Sequence, residues 1–266
     1  RLPFIQVDSG VSQADWNIVW LIRTPRVVLA AIVGSMLSVS GASYQGVFRN
    51  PLVDPYLLGV AAGAGLGATL VFAFQRGATE SWIIDPLPLA AFIGALVAVL
   101  VTYVVGTAFG TTQSSTTLIL AGVAVTSLAT SIQAFILQRN TDVVRQVYSW
   151  ILGRLSSATW GEVRLVLPYV VLSTCVLLMH RRLLDVLRVG DDEASALGTN
   201  VRRVRLIVVL AATLGTSAAV AVSGLIGFVG IIVPHAIRLI AGASYRKVLP
   251  LSVLLGAAFL VFADIP

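Results

Sequence analysis

Residues 27–48 read VVLAAIVGSMLSVSGASYQGVF, 22 consecutive positions without a charge, closed by Arg26 on one side and Arg49 on the other. About 20 apolar residues, rising 1.5 Å each, carry a helix across the roughly 30 Å hydrocarbon core of a bilayer. Working outward, Pro55 to Gln75 is 21 uncharged residues, and Pro86 to Gln138 is 53, enough for two helices with the polar break 110–117, GTTQSSTT, near its middle. Leu165 to Met179 is a fifth, short span. Leu206 to Ile237, 32 residues, is too long for one upright helix, and Gly224, Gly227, Gly230 and Pro234 divide it. Val248 to Ala263 is the last window. The expected fold is all-α, a polytopic transmembrane helical bundle of about eight spans.

Composition agrees. The 266 residues are 57% hydrophobic and 11% charged, with a mean hydropathy of +0.93, where soluble domains carry about a quarter charged residues. This excludes a water-soluble globule, and the dispersed Gly and Pro exclude a disordered or collagen-like chain. The formal charge of +6 comes from 18 basic residues scattered between apolar blocks. They cannot form a phosphate-tracking stripe, so no nucleic-acid partner is expected, whereas arginines beside lipid headgroups explain the excess. Cys175 stands alone in an apolar run, which excludes an intrachain disulfide and a cysteine metal cluster. Arg1 to Trp20 is mixed in polarity; no signal peptide is evident, and the chain is expected to start inside a longer protein.

Residues 139–164 mix charges with Trp150 and Trp160, aromatics that favour the interface, and predict a loop with a short amphipathic or re-entrant helix. His180 to Arg205 holds six Arg and four acids and must be aqueous. Placed on the cytoplasmic side, it gives that face ten basic residues against eight opposite, and an odd number of helices then precedes Val27. Within it, Leu183, Leu184, Leu187, Val189 and Leu197 fall at near-helical spacing, split by Gly190 and Gly198 into two short half-apolar helices that can lodge in a groove of a soluble partner.

Arg49 to Pro55 carries two prolines four residues apart, with Asn50 and Asp54 able to satisfy freed backbone groups; an ordinary turn accounts for it without function. Gly59, Gly63 and Gly67 predict a close helix–helix approach. The glycines at 224, 227 and 230 allow either packing or an unwound stretch on a transport path. Val39-Ser-Gly41 ahead of Pro51 and Val222-Ser-Gly224 ahead of Pro234 share the same ten-residue spacing from glycine to proline, which raises an internal repeat. Arg23 and Arg26 flank Pro25 at the outer headgroup level, where they can anchor lipid phosphate or receive carboxylates of an external partner. No zinc or di-iron spacing, catalytic set or P-loop is visible, so no enzyme activity and no bound metal or cofactor are expected, and ATP-driven transport would need a separate ATPase.

These segments in this order resemble the FecCD-type permease subunits of ABC importers for iron-siderophores, haem and vitamin B12. The matching residues include Ile22-Arg-Thr-Pro-Arg26, Val39-Ser-Gly41, Gln45, Arg49-Asn-Pro-Leu52, Pro55, Leu58-Gly59, Gly63-Ala64, Leu120-Ala-Gly122, Gly190, Ala196-Leu-Gly198, Gly227-Phe-Val-Gly230, Pro234-His235 and Arg238. The resemblance implies a ten-helix fold, with residues 1–266 as one permease domain lacking its first helix and its C-terminal end. It further implies a dimer with a second permease subunit, two ATPases that bind ATP and Mg, and an external substrate-binding protein. By the same resemblance Arg23 and Arg26 receive the binding protein. Asp185, Leu187, Gly190, Glu193, Ala194, Leu197 and Gly198, within the 183–200 segment, form coupling helices seated on the ATPase. Asn50, Leu52, Ser115 and Thr116 line the cytoplasmic narrowing of the path. Alternating access in a bacterial cytoplasmic (inner) membrane is the implied mechanism, with an iron-siderophore as first cargo and haem and B12 close behind. A self-sufficient secondary carrier or channel is the rival; the absence of ionised residues inside the spans counts against ion coupling.

Overall fold

The computed structural model describes residues 12–75, 85–108 and 115–265, and these are helical almost throughout. The first long helix is built in pieces: α1, Gln13–Asn17, passes through a π-helical turn, Ile18–Arg23, into α2, Thr24–Phe48. Pro25 has no N–H to offer Leu21, so the hydrogen-bond register slips there. Both the N–H and the Oγ1 of Thr24 bond Val19 O, five residues back.

Around α2 pack α7 (Trp160–Met179), α10 (Val201–Ser223), α11 (Val229–Ala241) and α12 (Tyr245–Ala263). Most of α2 is buried, including Ser38, Ser40, Ser43 and Gln45, so it is the core of the bundle rather than a lipid-facing helix. Its contacts are backbone to backbone. A Cβ on Gly34 would run into Gly256 O of α12, and one on Gly41 into Gly230 O of α11. Small residues at such crossings let dispersion contacts form where lipid offers no hydrophobic drive.

Three helices, α3 (Val60–Phe74), α4 (Pro86–Ala108) and α5 (Ser115–Arg139), pack mutually as a second layer, which α10 joins to the first through α4. Gly63 and Gly67 meet the backbone of Gly94 and Ala90, as the glycine spacing predicts. Gly59 is instead the left-handed residue, φ 89°, that starts α3.

Among the described residues, eight apolar helices match the eight expected windows, but six of them are long and apolar enough to cross a bilayer. α3 and α11, with 15 and 13 residues, reach about 22 and 20 Å. α7 begins at Trp160, not Leu165, because Thr159 and Glu162 form a reciprocal cap that carries the helix through Arg164. α10 begins at Val201, capped by Asn200, so Arg202, Arg203 and Arg205 lie on a helix rather than in a loop. The break expected at 110–117 lies mostly outside the described residues. Pro234 does not divide the 206–237 window; Gly224–Phe228 does, and Pro234 sits inside α11. The supposed repeat fails too. Gly41 is mid-helix, whereas Gly224 ends α10 at φ 72°; Pro51 is in a turn, Pro234 in a helix.

The loop before α7 does hold a short amphipathic helix, α6, Val144–Ile151, with Val147 and Trp150 buried. Trp150 is therefore a core residue, not an interfacial one. Trp160 does lie at a rim, its ring centroid 5.2 Å from that of Trp20, with its Nε1 donating to Trp20 O at 2.9 Å. At the same end Arg26 meets Asp264 after α12. The opposite end carries two short helices, α8 (Arg181–Leu187) and α9 (Asp191–Ala196).

Replacing Gly41 by Val should push α2 off α11 and lower the stability of the purified full-length protein by about 1–3 kcal/mol. Gly227→Ala, where nothing lies within 4 Å of the new Cβ, should leave the thermal midpoint within a degree or two. Equal midpoints would show that the α2–α11 crossing is not tight.

Candidate functional site

The interrupted segments define the site. Arg49–Gly59, between α2 and α3, and Gly224–Phe228, between α10 and α11, are irregular backbone packed against one another, and such backbone is tolerated in a membrane protein only when its polar groups are paired. Tyr56 Oη donates to Ile226 O at 2.8 Å and accepts from Ile226 N at 3.2 Å. Pro234, lacking an N–H, leaves the Gly230 carbonyl without its helical donor. Gln45 Nε2 donates to that carbonyl at 3.0 Å and to Val53 O at 3.3 Å, while Arg238 Nη2 donates to Gln45 Oε1 at 2.6 Å. One buried amide on α2 thus ties the segment after α2 to the first turn of α11.

The Arg49–Gly59 segment leaves α2 through Arg49 itself, a non-glycine residue in the left-handed region at φ 52°, ψ 35°. Asn50 Oδ1 accepts from Leu52 N at 3.0 Å, which turns the chain, and Leu52 is 75% exposed at the α8–α9 end of the bundle. Asp54 Oδ1 accepts from Tyr56 N at 2.8 Å. Burial pushes the Asp54 carboxyl above the usual carboxylate range, against the opposing pull of that hydrogen bond. Thr116, exposed, lies in the first turn of α5; Ser115 opens that helix, and its side chain is outside the described residues. The structure brings this turn near the Arg49–Gly59 segment: Leu118 shares a cavity of about 20 Å³ with Phe48, Leu58, Arg202 and Arg205. Gly122 lies against the backbone of Leu57.

The 183–200 segment is sorted into two faces. Leu184, Leu187, Gly190 and Ala194 are buried against the bundle, whereas Glu193, Gly198, Val189 and Leu197 are exposed, the last two at 64% and 70%. Asp185 points inward: its Oδ1 accepts from Tyr245 N and its Oδ2 from Ser244 Oγ, each at 2.7 Å, which caps α12. Gly190, at φ 145°, starts α9 where a Cβ would collide with Glu193.

At the far end Arg23 is exposed. Arg26 has an internal partner: Nε lies 2.6 Å from Asp264 Oδ2, and Nη2 donates to Asp264 O and Oδ1 at 2.8 and 3.1 Å. The fork staples the start of α2 to the end of α12.

Sequence reading assigns no individual role to Gln45, Arg49, Tyr56, Asp191, Arg205 or Arg238, although Gln45, Arg49 and Arg238 carry the resemblance and Asp191 falls within the 183–200 segment. Two signals were present. Gln45 is the only amide in residues 27–48, and Pro234 four residues after Gly230 announces a freed carbonyl. The exposed hydroxyl face of α5, Thr116, Ser127, Thr130 and Ser131, was also passed over, because serine and threonine can satisfy themselves within a helix, as Ser127 and Ser131 do on carbonyls one turn back.

The profile of the FecCD transport family matches residues 3–266. The chain belongs to the FecCD transport family. It is 41% identical, over 96% of its length and 68% of the relative's, to the cobalamin import system permease protein BtuC of Halobacterium salinarum. The hemin transport system permease protein HmuU of Yersinia pestis is 39% identical, with 97% and 77% covered. The ferric enterobactin transport system permease protein FepD of Escherichia coli is 38% identical, with 98% and 77% covered. A solved inward-facing ABC transporter assigned to the metal-chelate type superposes with a TM-score of 0.86 at 26% identity, over 98% of this chain and 81% of that one. This FecCD chain is accordingly a multi-pass permease subunit of an ABC importer, a family of transport components, and this reading is favoured over a secondary carrier.

In this permease, Gln45→Leu should strand the Gly230 and Val53 carbonyls and Arg238. The expected cost is on the order of 3 kcal/mol, with hydrogen exchange accelerated in residues 50–54 and 226–232. Unchanged exchange there would mean the two breaks hold without the amide.

Proposed function

We propose that the permease carries a bulky metal chelate across a bacterial cytoplasmic membrane, an iron-siderophore first, with haem and cobalamin as the other candidates. The relatives' named cargoes support this class. Two such subunits would enclose the path, two ATPases binding ATP and Mg would sit beneath α8 and α9, and an external binding protein would deliver the cargo to the opposite face.

The observation that carries the coupling role is the two-faced 183–200 segment. Its buried face, Leu187, Gly190 and Ala194, seats it on the bundle, and its exposed face, Glu193, Leu197 and Gly198, offers apolar and charged groups outward at the end where Leu52 is exposed. A solvated loop has no reason to expose Val189 and Leu197 together; a groove on a partner gives one. Asp185 acts within the permease, transmitting displacement of α8 to α12 through its cap. Asn50, Leu52, Ser115 and Thr116 form the inner narrowing. The hydroxyls of α5 continue the wall above it, supplying weak polar contacts suited to a cargo that must leave again.

For the binding protein, Arg23 is the available cation. Arg26 can take an external carboxylate only in competition with Asp264, so it serves first to hold α2 and α12 in register. Closure of the ATPases would tilt α8 and α9, and rigid helices would pass the motion to the narrowing, opening the path alternately to each side.

The full-length protein, reconstituted with its ATPase and binding protein, should take up chelate only with ATP. Glu193→Arg combined with Leu197→Asp should abolish both uptake and uptake-linked hydrolysis while the permease itself stays folded. Uptake without any ATPase, or wild-type uptake by the double variant, would overturn the coupling assignment.

A further inference from the structure

We infer that Asp191 and Arg49 form the contact by which the coupling segment moves the inner narrowing, with Arg205 holding the carboxylate in place; the inference rests on the importer reading above. Asp191 is the first residue of α9, immediately after the buried Gly190. Its Oδ1 lies 3.4 Å from Arg49 Nη2, and Oδ1 and Oδ2 lie 3.3 and 3.1 Å from Arg205 Nη2. Three elements meet at one carboxylate: the helix that faces the partner, the exit of α2, and the first turns of α10.

The two arginines are not equivalent. The Arg205 side chain is 10% exposed, whereas Arg49 and Asp191 are 40% and 41% exposed. Water screens the outer pair and much less the inner one, so the Arg205 contact persists and the Arg49 contact breaks and re-forms readily. That division suits an anchor and a movable link.

What Arg49 does with the link follows from its backbone. It occupies the left-handed region, disfavoured for any residue with a Cβ, at the last position before Asn50. Its N–H and that of Asn50 both turn back to Gln45 O. A small change at φ and ψ of Arg49 therefore redirects Asn50 and Leu52, while Gln45 holds Val53 and the remainder of the segment to α2 and α11. Displacement of α9 draws Asp191, Asp191 draws the Arg49 guanidinium, and Leu52 swings about a pivot fixed on both sides. Asp185, at the other end of the coupling segment, caps α12 and serves a different helix. Asp191 is thus a positioning residue for the narrowing.

The test uses the full-length permease assembled with its ATPases and binding protein in vesicles, with ferric hydroxamate, hemin and cyanocobalamin as trial cargoes. Uptake per ATP hydrolysed is the readout. Arg49→Ala and Asp191→Asn should each lower that ratio about tenfold, Arg49→Ala leaving ATP hydrolysis and ATPase co-purification within about twofold. Arg49→Lys, which keeps the charge, should retain most of the coupling. Because both residues act through one contact, the double variant Arg49→Ala with Asp191→Asn should be no worse than the more affected single. A wild-type ratio in either single variant, or a double-variant loss equal to the product of the two, would overturn the inference. So would loss of ATPase co-purification in Asp191→Asn, which would make that residue part of the docking face. If the wild-type complex shows no ATP-dependent uptake of any of the three cargoes, the cargo class proposed above falls, an outcome distinct from normal wild-type coupling with unaffected variants.

Discussion

Backbone that leaves helical geometry within a membrane protein must find hydrogen-bond partners inside the protein, and in this permease one side chain on the central helix ties the two interrupted regions together. Gln45 pairs with Gly230 O, Val53 O and Arg238 at once. Without it, Val53 O after α2 and Gly230 O, freed by Pro234 in the first turn of α11, would each lose a donor, at a cost of about 1–3 kcal/mol per group. The fold therefore depends on a polar contact placed among glycine crossings, with Gly41 one helical turn away against Gly230.

The two ends of the bundle are held differently. At the Trp20–Trp160 end, aromatic stacking and the Arg26–Asp264 fork close the structure on itself. At the α8–α9 end, Asp185, Asp191 and the buried leucines attach a small two-faced element to three separate helices, and its outer face, with Val189 and Leu197, is exposed. The buried face, Leu184, Leu187 and Ala194, joins the apolar core and keeps that element seated, while the half-exposed Arg49–Asp191 pair can break and re-form at little cost.

Much of the architecture is legible in charge spacing. The windows beginning at Val27, Pro55, Pro86 and Val248 each fall on helices of the bundle, because a charge inside hydrocarbon is costly, although α2 and α12 begin three residues earlier and carry Arg26, Arg246 and Lys247. The same rule misplaced the starts of α7 and α10. Thr159 and Asn200 cap helices that continue through Arg164 and Arg202–Arg205, since at the water interface a cap outweighs the presence of charge. The two-helix split of 183–200 was readable from Gly190 and from leucine spacing. Which of its residues face inward was not: Asp185 reads as a solvent-facing carboxylate until the N-terminus of α12 is set beside it.

By itself, then, the sequence determined a membrane-spanning all-helical permease, its family and the two short helices of the 183–200 segment, because hydrophobic run length, glycine spacing and local motifs are properties of contiguous residues. Only the tertiary structure decided that α2 is the core, that Gln45 reaches residues eight and 185 positions away, and that Asp191 stands between Arg49 and Arg205. These pairings depend on where separate helices cross, and a crossing is set by the packing of several glycine-lined faces together, which no single stretch of sequence encodes.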